Sequence, residues 1–222
     1  MIKLEDTEIF AGIQAETMEV IKKVGRIECY DRNRTCFQAK SMTNKVYIML
    51  EGKAAVYNLT HAGKRKTIFF LGEGALLNDQ IMPGTHPSVF CEILVKSQVF
   101  VLPSQVLLEQ MEGDFALTSN VLRIMERRLW RMSHQLKNSV DHLDRKLAAK
   151  LWKLSRDFGK ETGKGLLIDI PLSITDLADF LGASRETTSR ICKSLSEKGL
   201  IEIESRRIYI LSPDQLSAFY KK

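Results

Sequence analysis

The spacing of apolar residues changes from two to about three and a half after Pro103, and this switch constrains the fold more than any other feature of the chain. Before it, short runs rich in β-branched and aromatic residues follow one another closely: KVYIML, KAAVYNL, KTIFFL, SVFCEILV and QVFVL. Between them fall Glu51-Gly52, His61-Ala62-Gly63, Gly72-Glu73-Gly74 and Pro83-Gly84, where glycine supplies the positive φ of tight hairpins. Residues 26–102 therefore predict a small antiparallel roll or barrel, preceded by a short amphipathic helix from Ala15 to Lys23. After the switch, Phe115, Leu122, Leu129, Leu136 and Leu143 recur every seven residues, with Thr118, Met125, Met132 and Ser139 at the intervening positions.

Four heptads specify one long helix with two apolar faces. Leu117, Val121 and Ile124 form one, suited to packing on the roll, while Glu126, Arg127, Arg128, Arg131 and Lys137 are expected to point elsewhere. The other face, Phe115, Leu122, Met125, Leu129, Met132 and Leu136, is the expected dimer seam. Burial of both stripes inside one fold is the alternative, but a register of 3.5 residues held over four repeats exceeds what one-sided packing demands. A second helical pattern, Leu147, Leu151 and Leu154, starts behind an N-cap candidate at Asp144, so Asp141 to Asp144 reads as a hinge.

The result is an α+β chain in three parts: a roll over residues 1–110, a long helix with its hinge over 111–141, and a last domain over 142–222. At 222 residues and 44% hydrophobic content it can build its core without disulfides. No apolar run approaches the ~18 residues that cross a bilayer, and the start MIKLEDTEIF lacks the basic-then-apolar order of a signal peptide. A cytoplasmic protein with no membrane partner is expected, its cysteines (Cys29, Cys36, Cys91 and Cys192) reduced and mostly filling core. The net charge of +6 leans towards the C-terminus, where residues 142–222 hold 15 basic against 11 acidic side chains, and suits an anionic partner.

That last domain contains LSITDLADFLGASRETTSRICKSLSEKGL, with start and stop signals for two short helices joined by a tight turn. Ser173 caps the first, with Asp176 completing a capping-box pattern, and Gly182 ends it. Leu177, Phe180 and Leu181 give that helix an apolar face, and Ala178 permits close approach. Ser184 caps the second, Ile191 and Leu195 are its expected buried side, and Gly199 stops it. This is helix-turn-helix spacing. Arg185, Glu186, Ser189 and Arg190 fall where a recognition helix meets base edges: arginine can donate two parallel bonds to guanine, and glutamate can accept from cytosine. Ser173, Ser184 and Thr187 suit phosphate oxygens. The strands GLIEIE and IYIL then form an expected two-stranded wing, its turn presenting Arg206 and Arg207 to the DNA backbone. A solvated helix pair that binds protein is the competing interpretation, and agreement between caps, turn and basic wing favours DNA.

The segment ASRETTSRICKSLSEKGLI closely resembles the recognition helix of the Crp/Fnr transcription regulators. KVYIMLEGKAAVY and LGEGALL in the roll, MERRL in the long helix and the winged helix-turn-helix extend the resemblance over nearly the whole chain. It implies a cyclic-nucleotide-binding-like roll and a homodimer whose recognition helices enter successive major grooves of a palindrome about 34 Å apart. In the family, residues matching Arg185, Glu186 and Arg190 read a TGTGA-like half-site, while Ser189 resembles the serine of the Fnr branch, which prefers TTGAT. A half-site containing TGA is therefore expected. RNA polymerase is a further partner if the protein activates, with the loop from Gly159 to Gly165 as a positional candidate.

The sensor half departs from the cyclic-AMP branch, which holds the cyclic phosphate with Gly-Glu and Arg-Ser pairs. Here those positions look like Asn78-Asp79 and Pro87-Ser88, and no arginine occurs between Arg65 and Arg123. A buried phosphate without charge-assisted donors is costly, so an effector other than cyclic AMP is expected. Its pocket would involve Leu77, Asn78, Asp79 and Ser88, with Met132 and Ser133 of the long helix as an apolar far wall. A redox or gas sensor, using haem or thiol, and a member without any ligand are the alternatives. An iron-sulfur cluster is disfavoured because Cys29 and Cys36 are too widely spaced; haem stays open, although none of His61, His86, His134 and His142 sits in the family's haem-binding turn. No cofactor and no metal is predicted. The chain also lacks a His-x-His pair, a G-x-S-x-G elbow, a P-loop and a G-x-G-x-x-G turn, which argues against an enzyme.

Overall fold

A computed structural model describes residues 1–137 and 142–221. Two 3₁₀ turns (Leu4–Asp6, Glu8–Phe10) and helix α1 (Ala15–Val24) precede seven strands: β1 (Arg26–Tyr30), β2 (Thr35–Phe37), β3 (Lys45–Glu51), β4 (Ala54–Leu59), β5 (Arg65–Leu71), β6 (Phe90–Ile93) and β7 (Ser97–Pro103). They form two antiparallel sheets, ordered β1-β7-β3 and β2-β6-β4-β5. The five expected strands are present; β1 and β2, which carry no long apolar run, were not singled out by sequence.

The continuous apolar runs in β3 and β7 follow from burial on both faces. Val46, Ile48 and Leu50, with Phe100 and Leu102, face a core completed by Ile21 of α1, Leu107 of α2 (Ser104–Gly113) and Leu117, Val121 and Ile124 of α3 (Phe115–Lys137). Tyr47, Met49, Val99 and Val101 face the space between the sheets, with Phe37, Val56, Leu77, Cys91 and Ile93. Asp114 separates α2 from α3: its carboxylate accepts bonds from the amides of Ala116 and Leu117, capping α3, and from that of Gln14.

The remainder comprises α4 (Leu143–Phe158), β8 (Gly159–Thr162), β9 (Gly165–Ile168), α5 (Ile174–Leu181), α6 (Arg185–Glu197), β10 (Ile201–Glu204), β11 (Arg207–Ile210) and α7 (Pro213–Lys221). By backbone contacts, Met1–Asn58 and Ile68–Ser133 form one compact unit, and Leu59–Thr67 with His134–Lys222 form a second. Asp144 does not cap α4: the helix starts one residue earlier, with His142 at the N-cap, and the Asp144 carboxylate accepts from Arg145 N inside the first turn. The wing is larger than expected. Residues 159–165 are the β8–β9 hairpin, and β9 pairs with β11, giving a four-stranded sheet ordered β10-β11-β9-β8. Cysteine placement is also mixed, with Cys91 and Cys192 buried, Cys36 partly so and Cys29 exposed. Among the described residues no helix is long and apolar enough to cross a membrane.

In the second unit the Lys150 ammonium lies 3.7 Å from the centre of the Phe180 ring. Burial, and then the charges of Lys66 and Lys146, lower its pKa from 10.5 to about 7. The folded chain thus binds fewer protons at this site than the unfolded chain between those values, and the lysine's burden on stability is relieved as pH rises through that window. Lys150→Met is expected to melt above the wild type near about pH 7, with the gap narrowing by about pH 10. Calorimetric melting of both proteins across that range checks this; a gap independent of pH would refute it.

Candidate nucleic-acid interface

The corner made by α5 and α6 is fixed at all four helix ends. Ser173 Oγ accepts from Asp176 N at 3.2 Å, while the Asp176 carboxylate accepts from Ser173 N at 2.7 Å and from Ser173 Oγ at 2.6 Å. Gly182 ends α5 at φ +80°, a left-handed conformation that strains residues bearing a Cβ. Ser184 Oγ accepts from Thr187 N at 3.1 Å to start α6. After Glu197 the chain leaves through Gly199 at φ +67°, with Leu200 N donating to Leu195 O, the six-residue bond that closes a helix on a left-handed glycine.

These restraints decide which face of α6 is exposed. Thr188, Cys192 and Leu195 are buried against the domain. Ile191, expected inside, is only half-buried, since the buried stripe follows the i, i+4, i+7 positions from Thr188. Arg185, Glu186, Ser189 and Arg190 are exposed on the first two turns, and among the described residues neither arginine has an intramolecular ion pair. Lys193 was not singled out, yet it continues this face, one turn beyond Ser189 and Arg190, exposed and 3.8 Å from Glu197. Its spacing from those two residues is the signal that identifies it. The orphan amides at the start of α6 add a partial positive charge where anions would approach.

The expected phosphate-binding residues divide into two groups. Ser184 is exposed and Thr187 half-exposed at the helix entrance, and Arg207 is exposed at the start of β11. Ser173 is spent, because its only hydroxyl proton goes to Asp176. Arg206 folds back, donating to Pro171 O and to the Asp176 carboxylate, each at 3.1 Å. It clips the Ser205–Arg206 turn, where Ser205 holds φ +57°, to the start of α5. Asp176 thereby joins helix cap and wing in one carboxylate.

In the first unit, the sensor residues also divide. Leu77 and Asn78 are core residues, 1% and 0% exposed. The Asn78 side chain is saturated: Oδ1 accepts from Tyr47 N at 3.0 Å, and Nδ2 donates to Lys45 O and Gln80 O. Asp79, Ser88, Met132 and Ser133 are exposed, the last donating to Leu129 O. Arg128 departs from expectation. It does not point elsewhere but is half-buried against the roll, donating to Leu76 O near Asp79 and Cys91, and desolvation lowers its pKa. Its position, seven residues after Val121 and four after Ile124, places it in the phase of the buried stripe and could have revealed this.

Removing either restraint on α5 should weaken the domain. Gly182→Ala and Ser173→Ala are each expected to cost about 1 kcal/mol. Urea denaturation with constant slope measures both, and an unchanged midpoint for Gly182→Ala would contradict the left-handed stop.

Comparison with known proteins agrees with this anatomy. The family model described as the Crp-like helix-turn-helix domain matches residues 145–219, and that described as the cyclic nucleotide-binding domain matches residues 27–114. The chain is 26% identical over 197 residues to the global nitrogen regulator of Nostoc sp., covering 86% of this chain and 87% of the relative. It is 21% identical over 212 residues to the CRP-like cAMP-activated global transcriptional regulator of Mycobacterium tuberculosis, covering 94% of each. The structure of FixK2 from Bradyrhizobium japonicum shares the fold, with a TM-score of 0.76 at 17% identity, covering 88% of this chain and 96% of that one. A roll matched by one family model, a capped reading corner matched by the other, and relatives spanning both place the chain among the Crp/Fnr family of non-enzymatic, DNA-binding transcriptional regulators.

Proposed function

We propose that the protein acts as a homodimer that reads a palindromic operator with TGA-containing half-sites, and that its roll answers to a small effector other than cyclic AMP. The observation that carries the DNA reading is the face of α6, where Arg185 and Arg190 are exposed beside Glu186 and Ser189 without an intramolecular ion pair. Guanidinium groups held by a capped helix and left unpaired can donate bidentately to guanine, with Glu186 accepting from cytosine N4. Ser184, Thr187 and Arg207 contact phosphates and set the register, and Arg206 holds the wing in place.

Pairing through α3 is supported by what its outer face exposes. Phe115 is 81% exposed, Leu122 62%, Leu129 67% and Met132 47%, at heptad positions of one helix. Met125 leans onto the roll core, and the side chain of Leu136 lies outside the described residues. A bare apolar stripe of this length calls for a partner, and a second α3 meets it in register. Function divides the chain at residues 110 and 141, between sensor, helix and reading head.

For the effector, a cyclic phosphate would need charge-assisted donors from the segment around Asn78 to Ser88. Asn78 has none to spare, and the Arg128 guanidinium is already donating to Leu76 O. RNA polymerase is the partner of an activating form, with the segment from Gly159 to Gly165, which holds the exposed strand β8, as its candidate contact.

Selection of bound duplexes from a random pool is expected to return an inverted repeat with a TGA core, and a consensus without it would overturn the assignment. Arg185→Ala and Arg190→Ala are expected to cost ~1 to 3 kcal/mol at the matched base pair and relax specificity there. Arg207→Ala should instead weaken all sequences evenly and reduce the salt slope by about one. In sedimentation equilibrium, the double change Leu122→Glu, Leu129→Glu should convert dimer to monomer; unaltered mass would refute the seam. Cyclic AMP should leave the melting temperature unchanged.

A further inference from the structure

The roll brings two cysteines together. β2 pairs antiparallel with β6, but the ladder steps: Thr35 stands opposite Glu92 and Phe37 opposite Cys91, which leaves Cys36 as an extra residue in a bulge. In a bulge two residues of one strand face one residue of the other, so Cys36 and Phe37 share Cys91. Burial agrees, because Cys91 belongs to the core between the sheets and Cys36 packs against that same core. Both thiols are unoxidised. Facing residues of antiparallel strands have Cα atoms about 4.5–5.5 Å apart, inside the span that a disulfide bridges.

Access is one-sided. Cys36 is part of the wall of a cavity of about 360 Å³ that Thr43, Lys45 and Tyr47 also line, whereas Cys91 is 0% exposed behind it. The neighbouring Cys36, and then burial, hold the Cys91 thiol above its ordinary range, and since only Cys36 lines the cavity, Cys36 is the entry point and Cys91 the resolving group.

We propose that Cys36 and Cys91 are a redox pair that closes by exchange with a small-molecule disulfide. The Cys36 thiolate attacks one sulfur of the disulfide RSSR, forming a mixed disulfide and releasing RS⁻. Cys91 then loses its proton and attacks the Cys36 sulfur, releasing the second RS⁻. Two protein thiols are oxidised and one RSSR is reduced to two RSH. Because Cys91 also lies near the Arg128 guanidinium, which bonds Leu76 O, closure alters the surface on which α3 packs. This link to α3 rests on the DNA-reading assignment above; formation of the disulfide does not.

The test treats the full-length protein with oxidised glutathione, blocks remaining thiols and digests with trypsin. The expected product joins peptide 35–40 to peptide 67–96, disappears after reduction and is absent from Cys36→Ser, whose circular dichroism should match the wild type. Exposed Cys29 is the internal control and should carry glutathione without forming a cross-link. Glutathione on Cys36 with no link to Cys91, or a link through Cys29 instead, would overturn the pair. Operator Kd measured on reduced and oxidised protein should differ at least about fivefold, with no difference in Cys36→Ser. A cross-link with unchanged Kd would overturn the coupling to α3, whereas reduced protein that ignores every duplex would overturn the DNA reading alone.

Discussion

Helix α3 carries more apolar surface than one copy of this chain can cover. Its inner stripe, Leu117, Val121 and Ile124, closes the core on the roll, while Phe115, Leu122 and Leu129 stand largely in water. At roughly 25 cal/mol per Å² of apolar area, three such side chains left bare forgo several kcal/mol, which is what self-association would recover. The proposed pairing, and with it the proposed spacing of two reading heads, rests on this helix. Arg128 adds a polar element on its inner side, so any rearrangement of the roll near Leu76 bears on the same helix that holds the proposed seam.

The reading corner obeys a different economy. To a core that buries Leu177, Phe180, Leu181 and Leu195 it adds end restraints, and the Asp176 carboxylate holds three of them, from Ser173 N, Ser173 Oγ and Arg206. The same carboxylate thus sets where α5 begins and where the wing turn lies. The proposed recognition residues on α6 depend instead on the Ser184 cap, since a helix that frays at its entrance loses the aim of Arg185 before that of Arg190.

Those restraints were legible in the sequence because they are local: a serine three residues before an acid, and a glycine after an apolar run. Strands β3 to β7 and the α3 stripe were legible for a similar reason, as repeated patterns within one element. What sequence missed is mostly what depends on distant partners. The β8–β9 hairpin becomes sheet only by pairing with β11, and Arg206 looks like a phosphate ligand until Pro171 and Asp176 are seen beside it. Asn78 is the same case, a polar residue in a supposed pocket whose bonding capacity the backbone has already taken. Arg128 differs, for its helical phase was readable; assuming that a charged side chain must face water hid it.

Asn78 also bears on how the roll avoids misassembly. A strand that is wet on one side announces its alignment through polarity, because slipping by one residue would drown its charges. β3 lacks that safeguard: Val46, Ile48 and Leu50 on one face and Tyr47 and Met49 on the other are all hydrophobic, so a slipped strand would still look oily on both sides. The amide clamped to Lys45 O and Tyr47 N recognises a position along the main chain instead of a side-chain type. It marks one position along the strand, and a chain that lost it would hold that alignment through packing and the β7 ladder alone.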